Sequence, residues 1–79
     1  MNVLKMMKKD LTSVIGLKLE YDFGGSEPLI GIVAEARVCS YKTILDGVDF
    51  VGLYYVISFS DHPLAFYGVY DKNIKIIEN

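Results

Sequence analysis

The side chains that could carry out chemistry are few, and they lie where the sequence predicts turns or strand ends. His62 is the only histidine, and it follows Asp61 in the segment 60–63, which has the composition of a turn. A histidine can act as a general base or a metal ligand, but one histidine without neighbouring cysteines cannot form a structural zinc site. We therefore predict that His62 is a solvated turn residue.

The possible nucleophiles lack the partners that would activate them. Cys39 is the only cysteine, so the chain can form neither an intramolecular disulfide nor a CxxC pair, and only His62 could serve as its base. Ser26 and Ser60 fall in predicted turns without the context of a nucleophile elbow. We expect the protein not to be an enzyme.

Acidic and glycine-rich segments offer no ligand site. Asp46, Asp49, Asp61 and Asp71 do not have the spacing of a calcium loop, and each has a local explanation as a turn residue. The glycines at 24–25 precede a predicted strand, whereas a phosphate-binding loop precedes a helix. We expect neither a bound metal nor a cofactor.

Length and composition predict one small folded domain, residues 1–79. The chain is 52% hydrophobic and 23% charged, which is a high apolar share for a domain with so much surface. Some apolar surface must therefore stay exposed or meet a partner. Lysines near the N-terminus interrupt any signal peptide, and no window has the length of a membrane span. We expect a cytoplasmic protein that does not bind membranes.

Periodicity predicts a short amphipathic helix at 3–11, followed by strands at 14–23, 29–38, 50–59, 64–70 and 74–78. Gly24, Gly25 and Pro28 mark the first turn. The segment 39–49 is less regular, and we interpret it as a loop with a short strand at 41–45 and a turn at 46–47; the alternative is one helical turn.

The segment 50–70 is predicted to form a β-hairpin closed by residues 60–63, and the remaining elements are expected to cover its faces. This turn would place Phe59 opposite Leu64 and Tyr55 opposite Gly68. The face predicted to enter the core comprises Leu53, Tyr55, Ile57, Phe59, Leu64, Phe66 and Tyr70. The other face would carry Tyr54, Val56, Tyr67 and Val69, extended by Tyr41 and Phe50.

The order of these elements resembles the SH3-like small barrels, and the N-terminal helix is similar to that of the Sm-like version. The segment KNIKII near the end is loosely similar to the last strand of such proteins. The resemblance implies a mainly β fold, either a small five-stranded barrel or a strongly bent antiparallel sheet with a short N-terminal α-helix. The chain has no tryptophan, and it lacks the motifs with which those families bind proline-rich peptides or bases, so the resemblance implies no function.

We expect a small non-catalytic module that binds a protein, or a second copy of itself, through this second face, since tyrosine is favoured at protein interfaces. The alternative for the face is that the N-terminal helix covers it. By analogy, the size and acidity are typical of an inhibitor of a host protein encoded by a phage or mobile element. A second hypothesis is a nucleic-acid or nucleotide binder, with phosphate contacts from Lys5, Lys8, Lys9, Lys18 or Arg37, although a net charge of −2 argues against it.

Overall fold

The computed structural model describes residues 2–25 and 27–78. The helix α1 (Val3–Lys9) begins after Asn2, whose side-chain oxygen accepts a hydrogen bond from the backbone N–H of Lys5 at 2.8 Å. A 3₁₀ turn (Leu11–Val14) follows at once. The predicted helix is confirmed, but it ends two residues earlier than expected because Asp10 takes an extended backbone.

The strands are β1 (Lys18–Tyr21), β2 (Leu29–Leu45), β3 (Val48–Phe59), β4 (His62–Gly68) and β5 (Ile74–Glu78). They form one antiparallel sheet in the order β4-β3-β2-β1-β5. The mainly β prediction with five strands and an N-terminal helix is therefore confirmed. Closure into a barrel is not confirmed, because the sheet is open between β4 and β5 over the described residues.

The prediction that most of 39–49 is a loop is wrong, because β2 and β3 run through it as paired strands; the short strand predicted at 41–45 lies within β2. Their register extends from Val33 opposite Phe59 to Leu45 opposite Val48. Asp46 and Gly47 form the connection with φ values of 51° and 77°. Positive φ at both positions is what the common two-residue hairpin turn requires, and Asp-Gly is among the sequences that adopt it.

The core lies on one face of the sheet, beneath α1 and the 3₁₀ turn. Its largest fully buried side chains are Phe59, Met7, Leu19, Ile57, Val3, Val14 and Val33. Gly31 is part of this packing, because the ring of Phe59 lies directly over it: a Cβ added at Gly31 would lie 2.9 Å from Cδ1 of Phe59. The helix therefore covers the face of Ile57 and Phe59, and not the face of Tyr54.

Side chains bridge the opening between β4 and the other edge of the sheet. The hydroxyl of Tyr21 donates a hydrogen bond to the carbonyl of Gly68 at 2.6 Å. The Asn73 amide donates to the same carbonyl at 3.0 Å and to the Tyr21 hydroxyl at 3.1 Å, while its oxygen accepts from the Tyr70 N–H at 3.0 Å. These bonds fix the end of β4 against β1 without a strand ladder.

We predict that Gly31→Ala destabilises the fold by about 1–3 kcal/mol, because the added methyl group would overlap the buried Phe59 ring. Gly25→Ala is the matched control, since nothing lies within 4 Å of its Cβ position, and it should change stability by less than about 0.5 kcal/mol. Urea denaturation of both variants measures the difference. Equal stabilities would contradict the packing described for Phe59.

A second prediction concerns Tyr21, whose pKa is raised above the ordinary 10.0 by burial first, then by the charges of Tyr70 and Tyr67. The fold therefore requires the neutral phenol, so its contribution is present below pH 10 and is lost as the pH rises through the raised pKa. Tyr21→Phe should cost about 1 kcal/mol at neutral pH, through the lost hydrogen bond.

Above pH 10 the stabilities of wild type and Tyr21→Phe should converge, as urea denaturation at each pH would show. Tyr41→Phe is the control, because the ring of Tyr41 is exposed. Its stability should equal that of the wild type both at neutral pH and above pH 10. A gap between wild type and Tyr21→Phe that stays constant with pH would contradict this account.

Candidate functional site

The paired strands of residues 39–54 extend from the body of the protein, and we call this segment the arm. β1 pairs with β2 only from Leu29 to Ile32, and β4 meets β3 only from Tyr55 onward. Between these points and the turn at Asp46, the two strands of the arm pair only with each other. Seven strand residues span about 24 Å, which accounts for the long dimension of a molecule measuring 44 × 30 × 25 Å.

The alternation of side chains gives the arm two faces. One face continues the core side of the sheet, and we call it the inner face; it carries Val38, Ser40, Lys42, Ile44, Asp49, Val51 and Leu53. The opposite side is the outer face, which carries Cys39, Tyr41, Thr43, Leu45, Val48, Phe50, Gly52 and Tyr54. The outer face contains no charged side chain, whereas the inner face has one of each sign.

The aromatic side chains of the outer face lie in a row along the arm. The Tyr41 and Tyr54 rings lie 6.1 Å apart between centroids, at an interplanar angle of 47°. The ring of Tyr41 also covers Gly52, its partner across the ladder, and occupies the space that a Cβ there would need. This cross-strand cover is a known way to compensate for a strand glycine. Phe50 continues the row toward the turn and is about half exposed.

At the body end, the outer face acquires its first charges. The guanidinium carbon of Arg37 lies 4.6 Å from the centroid of the Phe66 ring, a cation–π contact. The same guanidinium forms an ion pair with Glu35 at 2.7 Å. Tyr70 lies over Gly68 in this region, with ring atoms 3.0 Å from the position of a Cβ. The uncharged row of the arm therefore ends next to an ion pair in which the two charges cancel.

The predicted hairpin face is wrong as a single surface, because the register of β4 differs from the expected one. Phe59 lies opposite His62, while Ile57 lies opposite Tyr67, with a bulge between the two pairs. A shift of one residue turns every side chain to the other side of the strand. Tyr67 and Val69 consequently face the core, while Phe66 and Tyr70, expected inside, lie on the outer side.

The six residues predicted to bind a partner are therefore divided between two sides of the sheet. Val69 is 2% exposed and belongs to the core, and the Tyr67 ring packs 5.3 Å from Tyr21 and 5.6 Å from Phe59. Val56 is on the outer side but only 8% exposed. Three of the six share the exposed outer face of the arm: Tyr41, Phe50 and Tyr54.

The sequence pattern predicts that Phe66 and Tyr70 lie in the core, but the structure exposes both of them next to the arm. The signal that could have corrected this is Pro63, since proline within a strand is confined to edges and bulges. Leu64, directly after it, is 96% exposed and lies within the bulged segment. If one extra residue is counted at this bulge, the predicted register gives the faces that the structure shows.

The residues considered for catalysis do not come together. His62 is exposed at the start of β4, whereas Cys39 belongs to the arm. Within residues 2–25 and 27–78, no three His, Cys, Asp or Glu side chains form a group that could hold a metal ion. Neither α1 nor the 3₁₀ turn, the two helical elements that the structure describes, is long and apolar enough to cross a membrane.

Comparison of the chain with protein-family models, with curated proteins and with solved structures gives no match. The candidate site therefore rests on its own geometry.

Within the row, Tyr54 lies opposite Cys39 across the ladder. A hydrogen bond with the Cys39 side chain raises the pKa of Tyr54, and the negative charge of the Cys39 thiolate raises it further. Because the two residues lie opposite each other in the ladder, both side chains face the same side of the arm.

We predict that Cys39→Ala lowers the pKa of Tyr54, because it removes both the hydrogen bond and the thiolate charge. Cys39→Ser, which keeps a hydrogen-bonding group but does not ionise in this range, should give an intermediate value. Tyrosinate absorbance during alkaline titration measures the effect, and the same titration of Tyr54→Phe identifies the signal. If the Tyr54 titration is unchanged in Cys39→Ala, the proposed pairing is wrong.

Proposed function

We propose that this protein is a small non-catalytic module that binds another protein through the outer face of the arm. The observation that supports this most directly is the row of Tyr41, Tyr54 and Phe50: exposed, uncharged, and carried on strands that only pair with each other. An isolated two-stranded hairpin is marginally stable in water, and beyond the cross-strand contacts described above, the exposed area of these apolar side chains adds nothing to the fold. Contact with a partner would bury them.

The size of this surface fits such a role. From their exposed fractions, the three aromatic residues with Leu45 and Val48 present on the order of 500 Å² to solvent, near the upper end for the largest patch on a monomer. Adding Phe66, Tyr70 and Arg37 brings the surface close to the roughly 800 Å² that each partner buries in a standard interface.

The residue types also fit the energetics of protein recognition. Binding energy is concentrated in a few tyrosine, tryptophan and arginine side chains near the centre of an interface. Here two tyrosines stand in the middle of the surface and Arg37 stands at its border, where the Phe66 contact and the Glu35 ion pair hold it in place. The surface therefore has an aromatic centre and a polar edge.

The strand order, with β1 between β2 and β5, supports a relation to the SH3-like small barrels as an open version of that architecture. Small acidic proteins of this kind, without a catalytic set, suit the role of an inhibitor that blocks a host protein in the cytoplasm. The inhibitor hypothesis rests on analogy, and the binding surface does not depend on it.

A nucleic-acid binder is less well supported by the geometry. Single strands are bound by aromatic stacking next to a basic groove. In this structure the row of aromatic residues is on the outer side of the sheet, whereas α1, which carries Lys5, Lys8 and Lys9, covers the core side. Arg37, on the outer side, is already paired with Glu35.

The test of the proposed function is the double substitution Tyr41→Asp with Tyr54→Asp, which places charges in the middle of the row. We expect the variant to remain folded by circular dichroism, because both rings are exposed, and to lose the partner that the wild type captures from its native cell. A loss of at least tenfold in affinity for that partner is expected once it is purified.

Ser40→Asp with Leu53→Asp is the matched control, since it puts the same two charges on the inner face of the same two strands. Capture should persist in this variant. Equal capture by wild type and the double variant would refute the outer face as the binding site. Salt-dependent binding of single-stranded RNA or DNA by the wild type, lost in the double variant, would instead establish the nucleic-acid hypothesis.

A further inference from the structure

Along the arm, the edge of β3 that points away from β2 pairs with no other strand in the described part of the chain. The alternation of backbone direction identifies which N–H and C=O groups are unpaired on that edge. The carbonyl of Tyr55 accepts a hydrogen bond from Val69, so Tyr55 directs its backbone toward β4, away from β2. Backbone direction alternates along a strand, so the N–H and C=O groups of Leu53, Val51 and Asp49 also point away from β2. No strand in the described part of the chain pairs with them.

Apart from one charged residue, this edge lacks the features by which proteins protect open strands. Charged side chains, prolines, bulges and short length all discourage pairing with another chain. The open edge of β4 has Pro63 and a bulge, and β5 is five residues long with an exposed Lys75. Between Val48 and Tyr54, β3 has neither a proline nor a lysine, and its one charged residue is Asp49.

We propose that a second copy of this chain occupies this edge, with the two β3 strands antiparallel and Val51 opposite Val51 across a twofold axis. In this register the residues whose backbone groups point away from β2 pair with one another. Asp49 lies opposite Leu53 of the second copy, and Leu53 lies opposite its Asp49. Each of these pairs can then exchange both of its backbone hydrogen bonds. The result is a continuous four-stranded sheet built from two arms.

The side chains agree with this register. No like charges oppose each other, because Asp49 meets leucine. On the outer face, Phe50 meets Gly52 of the second copy, where that copy's Tyr41 already covers the glycine and offers a ring to pack against. Aromatic residues across from a strand glycine are a favourable cross-strand arrangement.

The other free edge of the arm argues against the equivalent pairing through β2. By the same alternation, the residues of β2 whose backbone groups point away from β3 are Ser40, Lys42 and Ile44. A twofold pairing centred on this set places Lys42 opposite Lys42, which is unfavourable. The structure thus favours pairing through the β3 edge. Because the two β3 strands are related by a twofold axis, the assembly is complete at two copies and does not grow into a filament.

The dimer goes beyond the proposed function, because it uses the edge of the arm and leaves the outer face open. Two outer faces would lie side by side in one sheet and double the aromatic surface. Pairing would also support an arm that is otherwise a two-stranded ribbon.

Val51→Pro tests the proposal. It removes an N–H that points away from β2, so it blocks edge pairing without removing a bond of the β2–β3 ladder. The mass in solution, followed over a dilution series by sedimentation, should approach twice 8.9 kDa for the wild type and remain at 8.9 kDa for Val51→Pro. Ile44→Pro, the same change at the β2 edge, is the matched control and should dimerise like the wild type.

A second pair of variants tests the register and does not depend on proline. Val51→Lys and Val51→Glu, each in a Lys42→Ser background because Lys42 lies opposite Val51 in the same arm, should both be monomeric. Mixed together, they should form a one-to-one heterodimer, since opposite charges then meet on the axis. Val51 is 66% exposed, so neither change disturbs the core.

The proposal is overturned if the wild type is monomeric at every concentration, or if Val51→Pro dimerises like the wild type. It is also overturned if the mixture of Val51→Lys and Val51→Glu stays monomeric while the wild type dimerises. Failure of the proposed function is distinguishable, because the Tyr41→Asp and Tyr54→Asp variant affects partner capture through the outer face and Val51→Pro affects mass through the edge.

Discussion

The pairing of β2 with β3 is the interaction on which the rest of this structure depends. β2 is seventeen residues long, and its first four pair with β1 while the remainder pairs with β3. The two regions meet at Val33, which lies opposite Phe59, and both residues are buried there under the helix. The body of the protein forms around this junction, where the backbone of Val33 bonds to Gly16 and Leu17 on one side and β3 pairs on the other. Beyond that region the same ladder continues without a layer to cover it, and this produces the arm.

The sequence predicts the body better than the arm, and the reason is physical. In β1, Leu19 and Tyr21 alternate with polar residues because one side is buried and the other is wet, so periodicity identifies the strand. In the arm both faces contact solvent, and Ser40, Lys42 and Thr43 are interspersed with apolar residues without a single buried side. The pattern therefore favours a loop with only a short strand at 41–45, although the Asp-Gly turn can be recognised from composition alone.

The bulge of β4 explains the error in the candidate site. The alternation in 64–70 is compatible with either register, because Phe66, Tyr67, Val69 and Tyr70 are all large and apolar or aromatic. Hydrophobic pattern specifies register only when the two faces differ in polarity. The choice is made instead by contacts distant in sequence: Tyr67 packs on Tyr21, and the Tyr21 hydroxyl binds the carbonyl of Gly68. No local pattern contains that information.

The division between body and arm has a consequence for evolution of binding. Core substitutions in the body cost stability through Phe59, Gly31 and their neighbours, whereas the exposed side chains of the arm contribute little to the core. The outer face can therefore change its residues to suit a partner while the strand ladder, made of backbone hydrogen bonds, stays the same. Because the edge and the face of one strand point in perpendicular directions, the arm can join a second copy along its edge and still present its aromatic row to a different protein.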